Sequence, residues 1–232
     1  MDASFSPGDM VLCQPDSGKG CSLCCGLFNI EDISREGCTR FLEGGPRRLV
    51  TMTDTPNDDP AVPALVVRDV TSYICPYQGF LRLSKPGCLL HPALLGEDRR
   101  DLSLYQKKIC GEFLCPAHTI LSPLHKRILV NAVDDWYLYS IAIADPESFS
   151  WIADMAREMI AGHKRRERLI GVTINKGLSI HSLRLSKTEG PLFCYSMVEY
   201  NDRKSGFSLL PENAAYERED IRKAFQQIIE AS

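Results

Sequence analysis

The chain has 232 residues, of which 44% are hydrophobic, and it carries a formal net charge of -3 with a pI near 6.0. This size and composition allow a substantial core in one or two domains, so the chain does not need disulfides to fold. The near-neutral charge argues against a strongly basic nucleic-acid-binding protein, and no apolar run reaches the roughly 18 residues that span a bilayer. Residues 1–10 lack the features of a secretory signal, so we expect a cytoplasmic protein without a membrane partner.

The first half of the chain is predicted to be irregular. Residues 30–42 are compatible with a short helix, and residues 47–53 and 64–70 have the apolar content of β-strands. The segment DTPNDDPAVP between those strands is too rich in Pro and Asp for regular structure. Residues 72–118 consist of short pieces between cysteines and prolines, so we expect something other than a hydrophobic core to order them.

The second half has conventional patterning. A helix is predicted from Ser122 over residues 122–143, and Asp145-Pro146 ends it and caps a second helix over residues 146–160. LIGVTI and LSIHSLRL around the turn NKG predict a β-hairpin, and residues 192–200 predict a third strand. A last amphipathic helix carries its apolar stripe at residues 221, 225 and 228.

The distribution of the cysteines divides the chain into two regions. Nine of the ten lie at or before Cys115, and only Cys194 follows it. We therefore predict an α+β protein with an irregular, cysteine-rich, metal-bound module over residues 1–118. Residues 119–232 are predicted to form an α+β region of two helices, a three-stranded antiparallel meander and a C-terminal helix.

The cysteine-rich region suggests a metal site. Cys21 and Cys24 have the C-x2-C spacing of zinc, iron–sulfur and redox sites, and Cys25 directly follows them. Adjacent side chains diverge in most backbone conformations, so Cys24 and Cys25 do not easily bind one ion together. The predicted metal ligands are seven thiols, those of Cys21, Cys24, Cys25, Cys75, Cys88, Cys110 and Cys115.

Other residues were weighed against these seven. His91 and His118 each follow a cysteine by three positions, so their imidazoles are possible additional ligands. Cys38 and Cys194 are expected to be small buried hydrophobic residues. Disulfides are the main alternative for the clustered thiols, and they require an oxidising compartment. A nucleophilic pair of Cys115 with His118 or His125 is a further alternative.

The order CSLCC, CPYQGFL, GCLLHP and KKICGEFLC resembles the YkgJ-like family of zinc- or iron-chelating cysteine-cluster proteins. The resemblance covers roughly residues 20–118 and implies metal chelation. Many members carry one more cysteine four positions before the C-x2-C-C knuckle, where this chain has Ser17. Some relatives are linked to flagellin lysine methylation, but no methyl-donor site can be recognised in this sequence.

Four thiolates saturate a tetrahedral zinc ion or a [4Fe–4S] cluster, so seven candidates exceed one site. The adjacent cysteines favour iron–sulfur slightly over zinc. The sequence therefore predicts a metal-chelating protein that binds an iron–sulfur cluster or zinc, with an unknown protein partner or substrate. Two alternatives stay open: a metal- or cluster-dependent protein-modifying enzyme, and a partner-binding protein with a purely structural zinc.

Overall fold

The computed structural model describes residues 10–16, 18–54, 66–82, 84–164 and 166–232. The chain forms two compact units. Unit 1 comprises Cys115–Thr188, Cys194–Ser232 and the described residues of Met1–Pro15, and unit 2 comprises Asp16–Leu114 and Glu189–Phe193. In chain order, most of unit 2 is therefore an insertion between two parts of unit 1.

Unit 2 combines short helices with a small sheet. Its elements are Arg35–Glu43 (α1), Gly45–Asp54 (α2), Gln78–Arg82 (β1), Lys85–Cys88 (β2), Pro92–Leu95 (α3) and Gln106–Glu112 (α4). The two strands are antiparallel, with Gln78 opposite Cys88 and Phe80 opposite Pro86, and an irregularity follows Phe80. Helices α1 and α2 both pack against β1.

The helix predicted at residues 30–42 is shorter than expected. It begins at Arg35, because the Ser34 side chain accepts a hydrogen bond from the Gly37 N–H and caps it. Ile30 instead forms an isolated antiparallel bridge with Val67. Within its described part, the strand predicted at 64–70 is reduced to this one bridge. Residues 64–65, and the predicted irregular loop from residue 55 onward, lie outside the described residues.

The strand predicted at residues 47–53 is wrong, because these residues belong to α2. At Gly45 an added Cβ would lie 2.5 Å from the Gln78 carbonyl oxygen and 2.8 Å from the Gly79 Cα. The start of α2 thus approaches β1 at a distance that only glycine permits. Arg48 then donates hydrogen bonds from Nε to the Pro76 carbonyl and from Nη2 to the Gln78 carbonyl. Tertiary contacts of this kind override a weak local strand preference.

Unit 1 is helical in its described residues. Its helices are Ala117–Ile120 (α5), Pro123–Ala132 (α6), Trp136–Ala144 (α7), Pro146–Met159 (α8), Arg166–Leu185 (α9), Met197–Phe207 (α10) and Ala215–Glu230 (α11). Helix α9 packs against α6, α7, α8 and α11 and is the centre of this unit. The predicted helix at 146–160 and the predicted C-terminal helix are confirmed.

The helix predicted at residues 122–143 is two helices. It breaks at residues 133–135, and Asp135 caps α7 by accepting a hydrogen bond from the Leu138 N–H. The predicted three-stranded meander is also wrong. Its hairpin is the single helix α9, and its third strand at 192–200 runs into α10, which Ser196 caps through the Glu199 N–H.

The described residues therefore form a mixed helical fold with one small antiparallel sheet, as an α+β class predicts. The sheet lies in the cysteine-rich unit, whereas the sequence predicted it in the second half of the chain. Among the helices that the structure describes, none combines the length and the apolar content needed to cross a membrane.

Candidate functional site

The Cys24–Cys25 doublet lies in a tight turn against residues 73–75 of unit 2. It ends the 3-10 turn Leu23–Cys25, and Gly26 follows in the left-handed region at φ 86°. A Cβ at Gly26 would lie 2.1 Å from the Tyr73 carbonyl oxygen, so only glycine allows this approach. The Cys75 N–H donates to the Cys25 carbonyl at 2.7 Å. The chain thus brings together thiols that are 50 residues apart.

Gln78 joins the same two segments. Its Nε2 donates to the carbonyl oxygens of Cys25, at 2.8 Å, and Cys75, at 3.0 Å. The side chain is fully buried, and its Oε1 has no hydrogen-bond partner among the described residues. Buried acceptors normally have a donor, so this orphaned oxygen marks an unusual environment beside the thiols.

Two further thiols complete a cluster. Cys88 ends β2 and packs with Cys25 against the buried group of Cys75, Tyr77 and Leu90. Cys110 lies on α4, and its Sγ is 3.5 Å from the Ser103 Oγ. The charges of Cys24, Cys75 and Cys88 all interact with that of Cys110. We define the five-thiol cluster as Cys24, Cys25, Cys75, Cys88 and Cys110.

Hydrogen bonds between the thiols of the doublet and Cys75 shift their pKa values. The pKa of Cys75 is lowered to about 7, chiefly because the Cys25 thiol donates a hydrogen bond to its sulfur. Burial opposes this shift, and the Tyr73 hydroxyl and the Arg48 charge assist it. The pKa of Cys25 is raised by the same hydrogen bonds, to Cys24 and to Cys75, and by burial.

Cys24 also has a lowered pKa, since it too accepts a hydrogen bond from Cys25. A single S–H can donate to only one sulfur at a time, so the two neighbours compete for it. The trio titrates as a coupled group.

Two guanidinium groups flank the cluster. Arg48 lies over the Phe41 ring, 4.0 Å from its centroid, and its charge acts on Cys75. Arg100 forms an ion pair with Asp98 at 2.7 Å, and its charge acts on Cys88 and Cys110. Burial is still the larger influence on these last two thiols: it raises the pKa of Cys88 to about 11 and also raises that of Cys110.

The other two predicted ligands are placed differently. Cys21 is half-buried and precedes Ser22, the residue before the 3-10 turn of the doublet. Cys115 belongs to unit 1, where its Sγ lies 3.5 Å from the His118 Nδ1. The structure therefore brings five of the seven predicted thiols into one cluster, with Cys21 adjacent in sequence and Cys115 in the other unit.

His118 is unsuitable as the metal ligand that the sequence suggested. Its Nε2 accepts a hydrogen bond from the Leu12 N–H at 2.9 Å, so this nitrogen carries no proton. Nδ1 of the neutral ring must then carry the proton and donate it to the Cys115 sulfur. Burial and the Lys126 charge lower the pKa of His118, which favours this neutral form. His118 is thus a donor to Cys115, and it is also a poor general base for that thiol.

The two other candidate histidines, His91 and His125, are engaged in a similar way. The His91 Nδ1 accepts a hydrogen bond from the Ala93 N–H, so its proton lies on Nε2 and leaves no lone pair for a metal. His125 has its Nδ1 3.0 Å from the Ser122 Oγ and its Nε2 3.1 Å from the Asp154 Oδ1. Both of its ring nitrogens face these groups, which contradicts the suggested pair of His125 with Cys115.

The cluster is not a ready-made coordination sphere. No group of three or more Cys, His, Asp or Glu side chains at metal-holding geometry occurs in the part of the chain that the structure describes. None of the ten cysteines, all of which are described, is in a disulfide. The chemistry available to the cluster is that of soft, partly ionised thiols: coordination of a thiophilic metal or oxidation.

Sequence reasoning missed a buried polar network in unit 1. Asp145 caps α8 as predicted, but it is fully buried and accepts hydrogen bonds from Ser148, His181 and Tyr200. The His181 Nε2 lies 3.0 Å from the Asp145 carboxylate and the Tyr200 hydroxyl 2.9 Å. The capping pattern at Asp145-Pro146 was the only signal in the sequence, since the other partners lie on distant helices.

The fold and the cluster together define a mixed α+β protein with a thiol-rich unit. The chain matches no known protein family, no curated protein and no solved structure. The resemblance to the YkgJ-like family stays a prediction that rests on the order and spacing of the cysteines.

Proposed function

We propose that this chain is a metal-chelating protein and that the five-thiol cluster holds an iron–sulfur cluster or zinc. The observation that carries the proposal is the convergence of thiols from four separate places in the chain, the doublet, Cys75, Cys88 and Cys110. Three of these thiols, those of Cys25, Cys75 and Cys88, lie in or against one buried core group, and coincidence is a weaker explanation of this convergence than a common ligand. The same proposal implies a reducing compartment such as the cytoplasm, in which these thiols stay reduced.

The donor set is suited to thiophilic metals. His91 and His118 have no free lone pair, so the ligands are thiolates alone, which select zinc and iron–sulfur clusters. The flanking cations Arg48 and Arg100 favour the negative charge that several thiolates bring. Cys25 retains its proton in this arrangement, so loading would release it.

Binding requires the thiols to move closer together, because no three of them stand at metal-holding geometry in the described residues. The rearrangement breaks the hydrogen bonds among Cys24, Cys25 and Cys75, each worth about 1 kcal/mol net. Structural zinc sites bind with an apparent free energy of about 10–16 kcal/mol. The binding free energy is therefore several times larger than the cost of the rearrangement.

The test is metal and sulfide analysis of protein purified without air. We expect either a brown protein with acid-labile sulfide or a colourless protein with stoichiometric zinc. Cys75→Ser should lower the metal content, whereas Cys38→Ser should retain it, because Cys38 is buried in α1 outside the cluster. Wild-type protein that contains neither metal and takes up neither on reconstitution would overturn the proposal.

A purely structural role for the metal is the second candidate. It is favoured by the position of Cys75 in the core of unit 2, where Tyr77 and Leu90 are its buried neighbours. A structural metal contributes directly to folding free energy. Removal of the metal by a chelator should then abolish the protection of the backbone amides of unit 2 against hydrogen exchange. If the metal has no structural role, its removal should leave that protection unchanged.

A further inference from the structure

Cys25 and Cys75 are joined through their backbones. The Cys75 N–H donates to the Cys25 carbonyl oxygen at 2.7 Å. A carbonyl oxygen lies about 2.4 Å from its own Cα and an amide nitrogen about 1.46 Å from its own, so these two Cα atoms are at most about 6.6 Å apart. Disulfides join residues whose Cα atoms are about 4.4–6.8 Å apart. The two backbones are therefore close enough for a disulfide.

The side chains of the two cysteines also meet. Cys25 packs against the buried group of Cys75, Tyr77 and Leu90, and its thiol donates a hydrogen bond to the Cys75 sulfur. Both cysteines are free thiols in the structure. We expect rotation about side-chain bonds, without a change in backbone pairing, to bring the two sulfurs to bonding distance.

Gln78 and Gly26 fix the two segments relative to each other. Gln78 is fully buried, and its Nε2 donates to the carbonyl oxygens of Cys25 and Cys75 at 2.8 and 3.0 Å. A Cβ at Gly26 would lie 2.1 Å from the Tyr73 carbonyl oxygen, so the turn approaches the second segment at a distance that only glycine permits. The pair is thus held in place while both thiols are still reduced.

The neighbouring thiols are placed less favourably for this bond. Cys88 lies opposite Gln78 in the sheet, and Gln78 follows Cys75 by three residues. Cys24 is adjacent to Cys25 in the chain, and adjacent side chains diverge in most backbone conformations. Cys25 and Cys75 are instead joined directly, by a backbone hydrogen bond and by contact of their thiols.

We propose that Cys25 and Cys75 form a reversible disulfide when a peroxide oxidises the metal-free chain. The peroxide transfers one oxygen atom to one of the two sulfurs, which becomes a sulfenic acid, and its other oxygen leaves as water or alcohol. The second sulfur then attacks the first: the S–S bond forms, the S–O bond breaks, and the hydroxyl group leaves as water with the proton of the second thiol. The thiol pair loses two electrons and the peroxide gains them.

The disulfide would also control metal binding. It removes two thiols from the five-thiol cluster, and the three that remain are one fewer than the four thiolates of a tetrahedral zinc site. This consequence rests on the proposed function, whereas the disulfide itself does not.

The test is mass spectrometry of the metal-free full chain after treatment with hydrogen peroxide, alkylation of the remaining thiols and digestion with trypsin. Tryptic cleavage places Cys25 in peptide 20–35 and Cys75 in peptide 69–82. We expect peroxide to link these two peptides, fragmentation to locate the bond at Cys25 and Cys75, and a reductant to separate them. An oxidised wild type without this link, or with the bond located at other cysteines, would overturn the inference.

Two serine variants provide the matched comparison. Cys24→Ser changes the neighbouring thiol of the same turn and should retain the linked peptides, whereas Cys25→Ser should lose them. A link that persists in Cys25→Ser and disappears in Cys24→Ser would overturn the assignment to Cys25.

Zinc uptake separates failure of this inference from failure of the proposed function. The reduced chain should bind zinc, the oxidised chain should bind less, and a reductant should restore the uptake. Equal uptake by the two forms would overturn the control of metal binding by the disulfide. A reduced chain that binds neither zinc nor iron would instead overturn the proposed function and leave the located disulfide as it stands.

Discussion

Replacing Asp145 by alanine tests the buried polar network of unit 1. Hydrogen bonds from His181 and Ser148 outweigh burial and lower the pKa of Asp145, so its carboxylate is charged in the folded protein. The change removes four hydrogen bonds: two from Ser148, one from His181 and one from Tyr200. At about 1.5–3 kcal/mol for each bond to a charged group, the simple sum is about 6–12 kcal/mol.

That sum overestimates the effect, because removal of the carboxylate also removes its desolvation penalty. The Ser148 hydroxyl retains its contacts with Ser208 and the Leu209 N–H, whereas the Tyr200 hydroxyl loses its acceptor. The buried donors of Tyr200 and His181 are left unsatisfied, at about 1–3 kcal/mol for each group. We therefore expect Asp145→Ala to lower the free energy of unfolding by about 3–5 kcal/mol.

The assay is urea unfolding followed by tryptophan fluorescence. Trp136 and Trp151 are the two tryptophans of the chain and both belong to unit 1, so the signal reports on this unit. Asp202→Ala is the matched control: Asp202 is exposed on α10, and its loss should change the free energy by less than about 0.5 kcal/mol. A loss below about 1 kcal/mol for Asp145→Ala would refute the reasoning that the network stabilises unit 1.

Three other measurements test individual contacts. Arg48→Ala should raise the pKa of Cys75 above about 7, because the flanking cation is lost, and ultraviolet thiolate absorbance of metal-free protein measures it; an unchanged titration contradicts the electrostatic argument. The nitrogen chemical shifts of His118 should show a neutral ring with its proton on Nδ1 and a pKa below the ordinary histidine value of 6.5. A proton on Nε2 would contradict this assignment. Gly177→Ala should lower the free energy of unfolding by about 1–3 kcal/mol, because the added methyl group overpacks the core. Gly206→Ala is the control and should not lower it, since nothing lies within 4 Å of the new Cβ. Equal effects of the two substitutions would refute the packing argument.

The helices with local signals were predictable. Helix α8 starts at a capping Asp followed by Pro, and its apolar residues recur at helical spacing. Helix α10 had such a signal too, because Ser196-x-x-Glu199 has the sequence of a capping box. Ser196 Oγ accepts a hydrogen bond from the Glu199 N–H, and Glu199 Oε2 accepts one from the Tyr195 N–H, one residue before the cap. The apolar content of LFCYSMVEY concealed that pattern and suggested a strand.

Helix α9 was missed for a different reason. Its buried face includes Thr173, Gly177 and His181, which do not register as apolar. A Cβ at Gly177 would lie 2.8 Å from Ile152 and 3.1 Å from Phe225, so this glycine allows close packing of α9 with its neighbours. In the sequence the same glycine completes NKG, a typical hairpin turn. Only tertiary contacts decide between a helix and a hairpin for this segment.

The sequence indicated that the candidate site consists of cysteines, but it did not indicate which cysteines and other residues lie together. The C-x2-C spacing pointed only to Cys21 and Cys24. Cys25, Cys75, Cys88 and Cys110 were predicted from the concentration of cysteines in an aperiodic region and from the family resemblance, and their role as ligands stays a prediction. Nothing in the sequence indicated that Cys115 would lie in unit 1, that Gln78 would bridge the segments of Cys25 and Cys75, or that hydrogen bonds would occupy His118. Each of these depends on long-range contacts.

The insertion of unit 2 into unit 1 has a consequence for the order of events during synthesis. Leu12 is held by the His118 ring and the Tyr139 hydroxyl, 106 and 127 residues further along the chain. All five cluster thiols precede Cys115, and 118 residues, 115–232, follow them from that point. At roughly 5–20 residues per second, translation of these residues takes about 6–24 seconds. During that interval the five thiols have already been synthesised while most of unit 1, including α9 and α11, has not, so we expect the proposed metal to be captured before unit 1 is complete.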